Sequence, residues 1–387
     1  MRVFRFIAPK FWWKRGLVAR SVSCVVLGPF SLLYALISRV HFFVRSIRAT
    51  RCTFPVLSVG NVVVGGSGKT PVTIALAELL RENGKNPIIV TRGYGGDIFK
   101  NAGVTSGRFS RWFCLSFYKS IKPNEKSAAT PEKSTMVVNG AVLVDEKIHS
   151  AREVGDEAMV LCKHASTVVA KDRRLGIDLV NSLEFPENTA VILDDAHQNS
   201  SIKKDVSIIV VNSKQMFGNG FVIPSGPLRE RISSGIARAD LVVFVYDDER
   251  EKNRARELCK YGRPIIFARS SFYVDIMRGA RVVAFAGIGF ADRFFDTLCA
   301  LGLEVVKFIR FEDHHEYDVR NEKCLLQLAR SNDAFLVSTR KDYVKFSSLF
   351  CKQVHVVDLF ISFSGSVLTP AGEEIYVGTS GVVKFFT

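Results

Sequence analysis

Between Val59 and Pro71 the chain reads Val-Gly-Asn-Val-Val-Val-Gly-Gly-Ser-Gly-Lys-Thr-Pro. Before it lies the apolar run Val56-Leu57-Ser58-Val59, and after it Val72, Ala75, Leu76, Leu79 and Leu80 recur with helical period. Strand, glycine-rich turn and helix in that order form the context of a P-loop. Such a turn lets backbone N–H groups close on phosphate oxygens, and the helix start adds its dipole. Val63, Gly65, Gly66, Ser67, Gly68, Lys69 and Thr70 are the nucleotide-binding candidates, with Lys69 reaching the β- and γ-phosphates and Thr70 offering its hydroxyl to Mg²⁺. The strict spacing wants glycine at position 63, where this chain has valine.

A nucleotide site also needs a carboxylate on the metal side. Thr189-Ala-Val-Ile-Leu-Asp194-Asp195 is an apolar strand ending in two acids, so Asp194 and Asp195 join Thr70 as the metal candidates. Further continuous apolar runs at 88–90, 168–170, 208–211 and 241–245 predict strands covered on both faces, hence a mainly parallel sheet. A second apolar series, at 281–286, 305–308, 334–337 and 354–357, predicts a smaller α/β unit. The expected division is 1–50 as an N-terminal segment, 51–275 as the core with an exposed excursion over 97–150, and 276–387 as the smaller unit. Residues 119–135 are Lys-, Ser- and Pro-rich without periodicity.

The net charge of +15 suggests a nucleic-acid partner until its location is read. Ten Lys or Arg and no acid fall in residues 1–51, which leaves +5 for the rest, and no later basic stripe with interleaved aromatics stands out. No nucleic acid is expected, and no protein partner is evident. Within the basic segment, Ser21 to Ser38 is an uncharged 18-residue run, the lower limit for crossing a bilayer. Cations on both flanks oppose a span, whereas a monotopic segment in the cytoplasmic leaflet satisfies them all. Phe11, Trp12 and Trp13 suit the headgroup level. The eight cysteines form no C-x-x-C pair, which points to reduced thiols on the cytosolic side.

The order of motifs resembles one family. Ser58 to Pro71, Arg92-Gly-Tyr-Gly95, Val154-Gly-Asp-Glu157, Lys171-Asp-Arg173, Asp194-Asp195, Phe217-Gly-Asn-Gly220, Pro224 to Glu230, Ala286-Gly-Ile-Gly289, Asp313-His314-His315 and Thr339-Arg-Lys-Asp342 are similar to the tetraacyldisaccharide 4'-kinases, the lipid A 4'-kinases, over about residues 50–345. The resemblance implies a P-loop NTPase-like α/β fold with a mainly parallel sheet and helices on both faces. To this it adds a smaller C-terminal α/β subdomain and an N-terminal membrane-associated helix at the cytoplasmic face of the inner membrane. It also implies transfer of the ATP γ-phosphoryl group to the 4'-hydroxyl of a tetraacyldisaccharide 1-phosphate, a lipid A precursor, with ATP and Mg²⁺ as cofactors. Carried over residue by residue, Asp156 and His314 form the catalytic Asp/His pair beside Lys69, and Arg229 and Glu230 face the nucleotide or substrate. Spacing does not decide which of Asp156 and His314 takes the proton.

Other readings of the same residues stand beside these. Asp156 precedes an apolar-periodic stretch and suits a helix N-cap; adjacent His314 and His315 on a strand would point to opposite faces; Arg92 and Arg173 are weak phosphate-side candidates. The chain departs from the family in Ala196-His197-Gln198, where His197 adds a titratable group beside the metal candidates, and in Arg340, which replaces an acid. A membrane-associated P-loop ATPase or GTPase for transport, positioning or metal insertion is the alternative. Its deviant loops want a signature lysine where this chain has Val64.

Overall fold

The computed structural model describes residues 9–13, 17–101, 137–138, 140–289 and 291–386. Of the expected excursion over 97–150, residues 102–136 and 139, with the Lys-, Ser- and Pro-rich 119–135, lie outside the described residues, while Ala141 and Val142 are buried in a strand rather than exposed. In chain order the strands are β1 (Val56–Gly60), β2 (Asn86–Thr91), β3 (Val137–Val138), β4 (Ala141–Leu143), β5 (Ser166–Ala170), β6 (Thr189–Leu193) and β7 (Val206–Asn212). They continue with β8 (Leu241–Tyr246), β9 (Ile265–Tyr273), β10 (Arg281–Ala286), β11 (Glu304–Arg310), β12 (Phe335–Thr339), β13 (Val354–Leu368) and β14 (Glu374–Tyr376).

They pair in the order β11-β10-β12-β13-β9-β8-β7-β1-β6-β2-β5-β4-β3, with β14 on β13. From β5 to β9 the sheet is parallel throughout. β1 sits inside it between β6 and β7, and all five of its residues are buried. A strand covered on both faces explains why these segments read as unbroken apolar runs. Leu57 and Val59 of β1 pack with Leu76 and Leu80 of the Lys69–Glu82 helix in one core cluster. The opposite face carries a separate cluster around Ile209, Phe244 and Phe267.

The second apolar series folds as expected into a parallel group of β11, β10, β12 and the start of β13. The C-terminal residues do not stay there. After Val357, β13 leaves β12 and runs antiparallel to β9, so one long strand joins both halves of the sheet. Val367, Val382, Val383 and Phe386 then bury themselves in the same core as Leu57 and Leu76. The last stretch of the expected 276–387 unit therefore packs in the first core, a return that its short apolar runs do not announce.

The Leu17–Ile47 helix carries Pro29 in its interior. Its side chains Val25, Phe30, Leu32, Leu36 and Phe43 stand more than half exposed. The body holds it at two places: the Ser31 hydroxyl bonds with Val222 O at 2.9 Å, and Ser200 Oγ donates to Phe42 O at 2.6 Å. Trp12 corrects the expectation of a headgroup residue. It is fully buried, with Nε1 donating to Pro224 O at 3.0 Å. Cys52, Cys162, Cys259, Cys299, Cys324 and Cys351 are free thiols.

Candidate active site

The glycine-rich turn leaves the carboxyl end of β1 and enters the Lys69–Glu82 helix through Gly68, whose φ of 84° is left-handed. Gly65, at φ 103°, makes the other bend that a Cβ would resist. Pro71 falls in the first helical turn, where no intrahelical donor is lost. Asn61 pins the loop from inside by donating to Val63 O and Ser67 Oγ, both at 2.7 Å. Val63 departs from the strict spacing for a visible reason: it is buried and bridges Leu228, while Val64 N donates to Pro227 O at 2.8 Å. A residue in an extended bridge needs no glycine.

The same brace delivers Arg229. Its N–H bonds to Val62 O at 2.8 Å, and its guanidinium grips Asp195 through NH1 to Oδ1 at 2.9 Å and NH2 to Oδ2 at 3.2 Å. Asp195 sits just past β6 at φ 45°, and Lys69 Nζ lies 3.6 Å from the same carboxylate. Burial would raise its proton affinity, but Lys69 and Arg229 more than offset this and hold Asp195 well below the ordinary carboxylate range. Lys69 also donates to Asn61 Oδ1 at 3.3 Å, and burial moves its ammonium down from the usual lysine value despite Asp195.

Asp194 faces the other way. It is buried and accepts from Thr73 Oγ1 at 3.1 Å and Thr91 Oγ1 at 3.4 Å. Burial, then the carboxylates of Glu157 and Asp195, push it up to about 6. Arg173 is buried beneath this turn and donates to the Asp195 carbonyl at 2.9 Å and to that of Asp194. Among the described residues no group of three or more His, Cys, Asp and Glu side chains converges as a metal cage. Thr70 is half-buried at the mouth of the cradle.

The second cluster joins the two halves of the sheet. Asp156 opens the Asp156–Leu161 helix behind Gly155, which supplies a φ of 93°. It starts the helix, as the capping reading allowed, although Gly155 holds the cap position itself. His314 occupies a left-handed position, φ 59°, in the turn after β11. Its Nδ1 lies 2.8 Å from Asp156 Oδ2, and Tyr94 places its ring 5.2 Å from the imidazole. Burial works against the Asp156 charge, but the His314 hydrogen bond and Lys341 overcome it and lower its pKa; the same bond raises that of His314. His315 turns away, stacked 4.5 Å from Phe311 and bonded to Asn321 Oδ1 at 3.0 Å.

Glu157 links the clusters, because its charge is felt at both Lys69 and Asp194 while its carboxylate pairs with Lys341. The structure thus brings together Lys69, Asp194, Asp195 and Arg229 at one cradle and Asp156 with His314 beside it. Glu230 accepts from Gln198 Nε2 at 3.0 Å and Arg238 NH2 at 2.5 Å. His197 corrects another expectation. It is buried against Gly60, and burial, with Lys204 and Arg238 nearby, pulls its pKa down to about 3, so it stays neutral near pH 7. Sequence reasoning passed over Asn61 and Gln198, though both lie inside or beside motifs it quoted. Gln198 ties Asn61 O, at 2.7 Å, to Arg229 and Glu230.

Comparison with known proteins decides what this geometry belongs to. Residues 24–110 and 136–369 match the family model of the tetraacyldisaccharide-1-P 4'-kinases. The chain belongs to this family. It is 34% identical over 340 residues to the tetraacyldisaccharide 4'-kinase of Bradyrhizobium diazoefficiens, covering 87% of this chain and 86% of that one. With that of Rhodospirillum rubrum it shares 36% over 359 residues, 92% and 93% of the two chains. Among solved structures it resembles LpxK from Aquifex aeolicus in complex with ATP, with a TM-score of 0.62 and 26% identity, over 89% of this chain and 95% of that one. Membership in this kinase family sets the transport ATPase or GTPase reading aside.

Proposed function

We infer that this kinase uses the glycine cradle and the Asp156–His314 pair as one active site for phosphorylating a membrane-borne glycolipid. The chain is a tetraacyldisaccharide 4'-kinase, transferring the ATP γ-phosphoryl group to the 4'-hydroxyl in lipid A biosynthesis. The observation that carries the site assignment is that the Asp156–Leu161 helix, whose Asp156 holds His314 at 2.8 Å, packs through Leu161 in one core cluster with Leu76 and Leu80 of the helix that leaves the cradle.

The chemistry follows from the geometry. Backbone N–H groups of Gly65 to Thr70 surround the phosphates, and Lys69 neutralises charge that builds on the transferring group. The 4'-oxygen forms its bond to the γ-phosphorus as the bond to the β-phosphate oxygen breaks, and ADP keeps that electron pair. With Nδ1–H held by Asp156, His314 presents Nε2 as the acceptor for the hydroxyl proton. Asp156 then stabilises the imidazolium. Arg229 keeps Asp195 aligned beside Lys69 and the loop.

The donor set suits Mg²⁺, because Asp194 is crowded by carboxylates that raise it to about 6 and that a cation would relieve. Thr70 and Asp194 would hold the ion, with Asp195 next to it partly committed to Arg229 and Lys69. Mg²⁺ keeps most of its coordination for phosphates and water, so a site short of three convergent protein donors fits it. When bound, it supplies charge neutralisation to the β- and γ-phosphates.

The exposed Val25–Ile47 stretch has the length and composition to enter a bilayer. In our reading it lies in the cytoplasmic leaflet of the inner membrane, where its flanking cations meet anionic headgroups and the tetraacylated acceptor is presented. The kinase core is then 51–275 with the returning C-terminal strand and helix, and the smaller unit carries His314. ATP-dependent phosphorylation of a tetraacyldisaccharide 1-phosphate in detergent micelles, followed by mass spectrometry, tests the function: one added phosphate is expected, and nucleotide turnover without it would contradict the reading.

A further inference from the structure

Lys341 and Glu157, 184 positions apart, form an ion pair between the smaller unit and the Asp156–Leu161 helix. Lys341 belongs to the short Arg340–Tyr343 helix, whose other charged groups are committed within their own unit. Arg340 Nε donates to Asp358 Oδ1 at 2.7 Å. Asp342, fully buried, accepts from Gly287 N at 3.1 Å, Thr339 Oγ1 at 2.8 Å and Lys345 Nζ at 2.8 Å. This frame fixes the turn, from which Lys341 carries its charge across, while the Tyr343 ring meets Lys163 and Val344 packs against the cluster that holds Ala158 and Met159. Lys341 arrives where Asp156, Glu157 and Asp313 gather, and their charges together raise its pKa over the opposing effect of burial.

The Asp156–Leu161 helix therefore receives two charged contacts from the smaller unit, from different segments, His314 on Asp156 and Lys341 on Glu157, beside the apolar packing of Val344 on the cluster that holds Ala158 and Met159. Adjacent residues cannot shift independently at the first turn of a helix. We propose that Lys341 is a positioning residue for phosphoryl transfer: its pair with Glu157 holds this helix against the smaller unit so that Asp156 and His314 stay in contact. The effect on turnover rests on the kinase reading; the effect on the Asp156–His314 contact does not.

The full-length protein carrying ¹³C-labelled histidine gives the direct readout, with His314→Gln assigning the resonance. In Lys341→Met, the His314 titration midpoint is expected to fall toward that of an unpaired imidazole, because the Asp156 bond that raises it loosens. Glycolipid kcat should fall about tenfold, while affinity of the cradle for a fluorescent ATP analogue stays within about threefold. Lys341→Arg should keep both the midpoint and kcat near wild type. The charge of Lys341 alone opposes His314 protonation, so an intact contact without Lys341 would move the midpoint up. An unchanged or raised midpoint in Lys341→Met would overturn the proposal, as would loss of the native fold in that variant, which would assign the pair to stability. A wild-type protein that phosphorylates no glycolipid refutes the kinase reading instead, and the titration still decides the positioning role.

Discussion

Asp156 Oδ2 and His314 Nδ1 are 2.8 Å apart although 158 positions of chain separate them. Two unusual backbone positions create the contact: Gly155 at φ 93° before the helix, and His314 at φ 59° in its turn. Each residue shifts the other in the direction of an ion pair, Asp156 down and His314 up.

The pair sets the pH dependence. Proton acceptance needs neutral His314, so kcat should rise as pH passes through a His314 value above the ordinary ~6.5. Asp156→Asn should move that midpoint down and lower the plateau at least about 10²-fold. The stability effect has two edges. The Asp156 contribution is present above its unfolded value of about 3.9 and lost as pH falls through its depressed folded value; that of His314 is present below about 6.5 and lost as pH rises through its raised one. Melting temperatures of wild type and Asp156→Asn should therefore differ most between about pH 4 and 6.5.

Asp194 behaves oppositely. Its folded pKa is raised to about 6, above the unfolded value, so its ionised form is disfavoured by the fold above that pH and relieved as pH falls through it. Asp194→Asn should melt no lower than wild type at pH 8 yet lose about 10²-fold in kcat, as expected when an electrostatic group at the phosphates is removed. Thermal melts and initial rates on one preparation check both.

Gly155 has no room for a side chain. A Cβ there would lie 2.6 Å from Tyr94 O and 3.0 Å from Gly93 C, at a φ that side chains resist. Gly155→Ala should cost about 1–3 kcal/mol in urea denaturation. It should also lower kcat, since Asp156 is the next residue.

Membrane binding should follow the exposed helix face. Leu32 and Leu36 are 62% and 61% exposed, and burying such side chains in lipid contributes about 1.5–3 kcal/mol each. Leu32→Asp with Leu36→Asp should reduce flotation with anionic vesicles at least about tenfold while ATP binding persists. Unchanged flotation would place attachment elsewhere.

The strands and the cradle were legible because burial on both faces leaves unbroken apolar runs and because phosphate binding confines its loop to a few residue types. Val56 to Thr70 illustrates both. The C-terminal return was not legible, since β13 serves two sheet halves and only Val367, Val382, Val383 and Phe386 mark where it re-enters the first core. The fates of Trp12 and His197 also depended on partners far away in sequence, Pro224 for one and Gly60 and Gly235 for the other. His315 shows the remaining limit: it stands beside His314 in one motif, yet it turns to Phe311 and Asn321.

The central claim is that one site holds the triphosphate and the proton acceptor together. A crystal structure with a non-hydrolysable ATP analogue and Mg²⁺ tests it most directly. Phosphates enclosed by Gly65 to Thr70, with the γ-phosphate between Lys69 and His314, are the predicted result. Nucleotide bound elsewhere with the glycine loop vacant, or a γ-phosphate pointing away from His314, would contradict it.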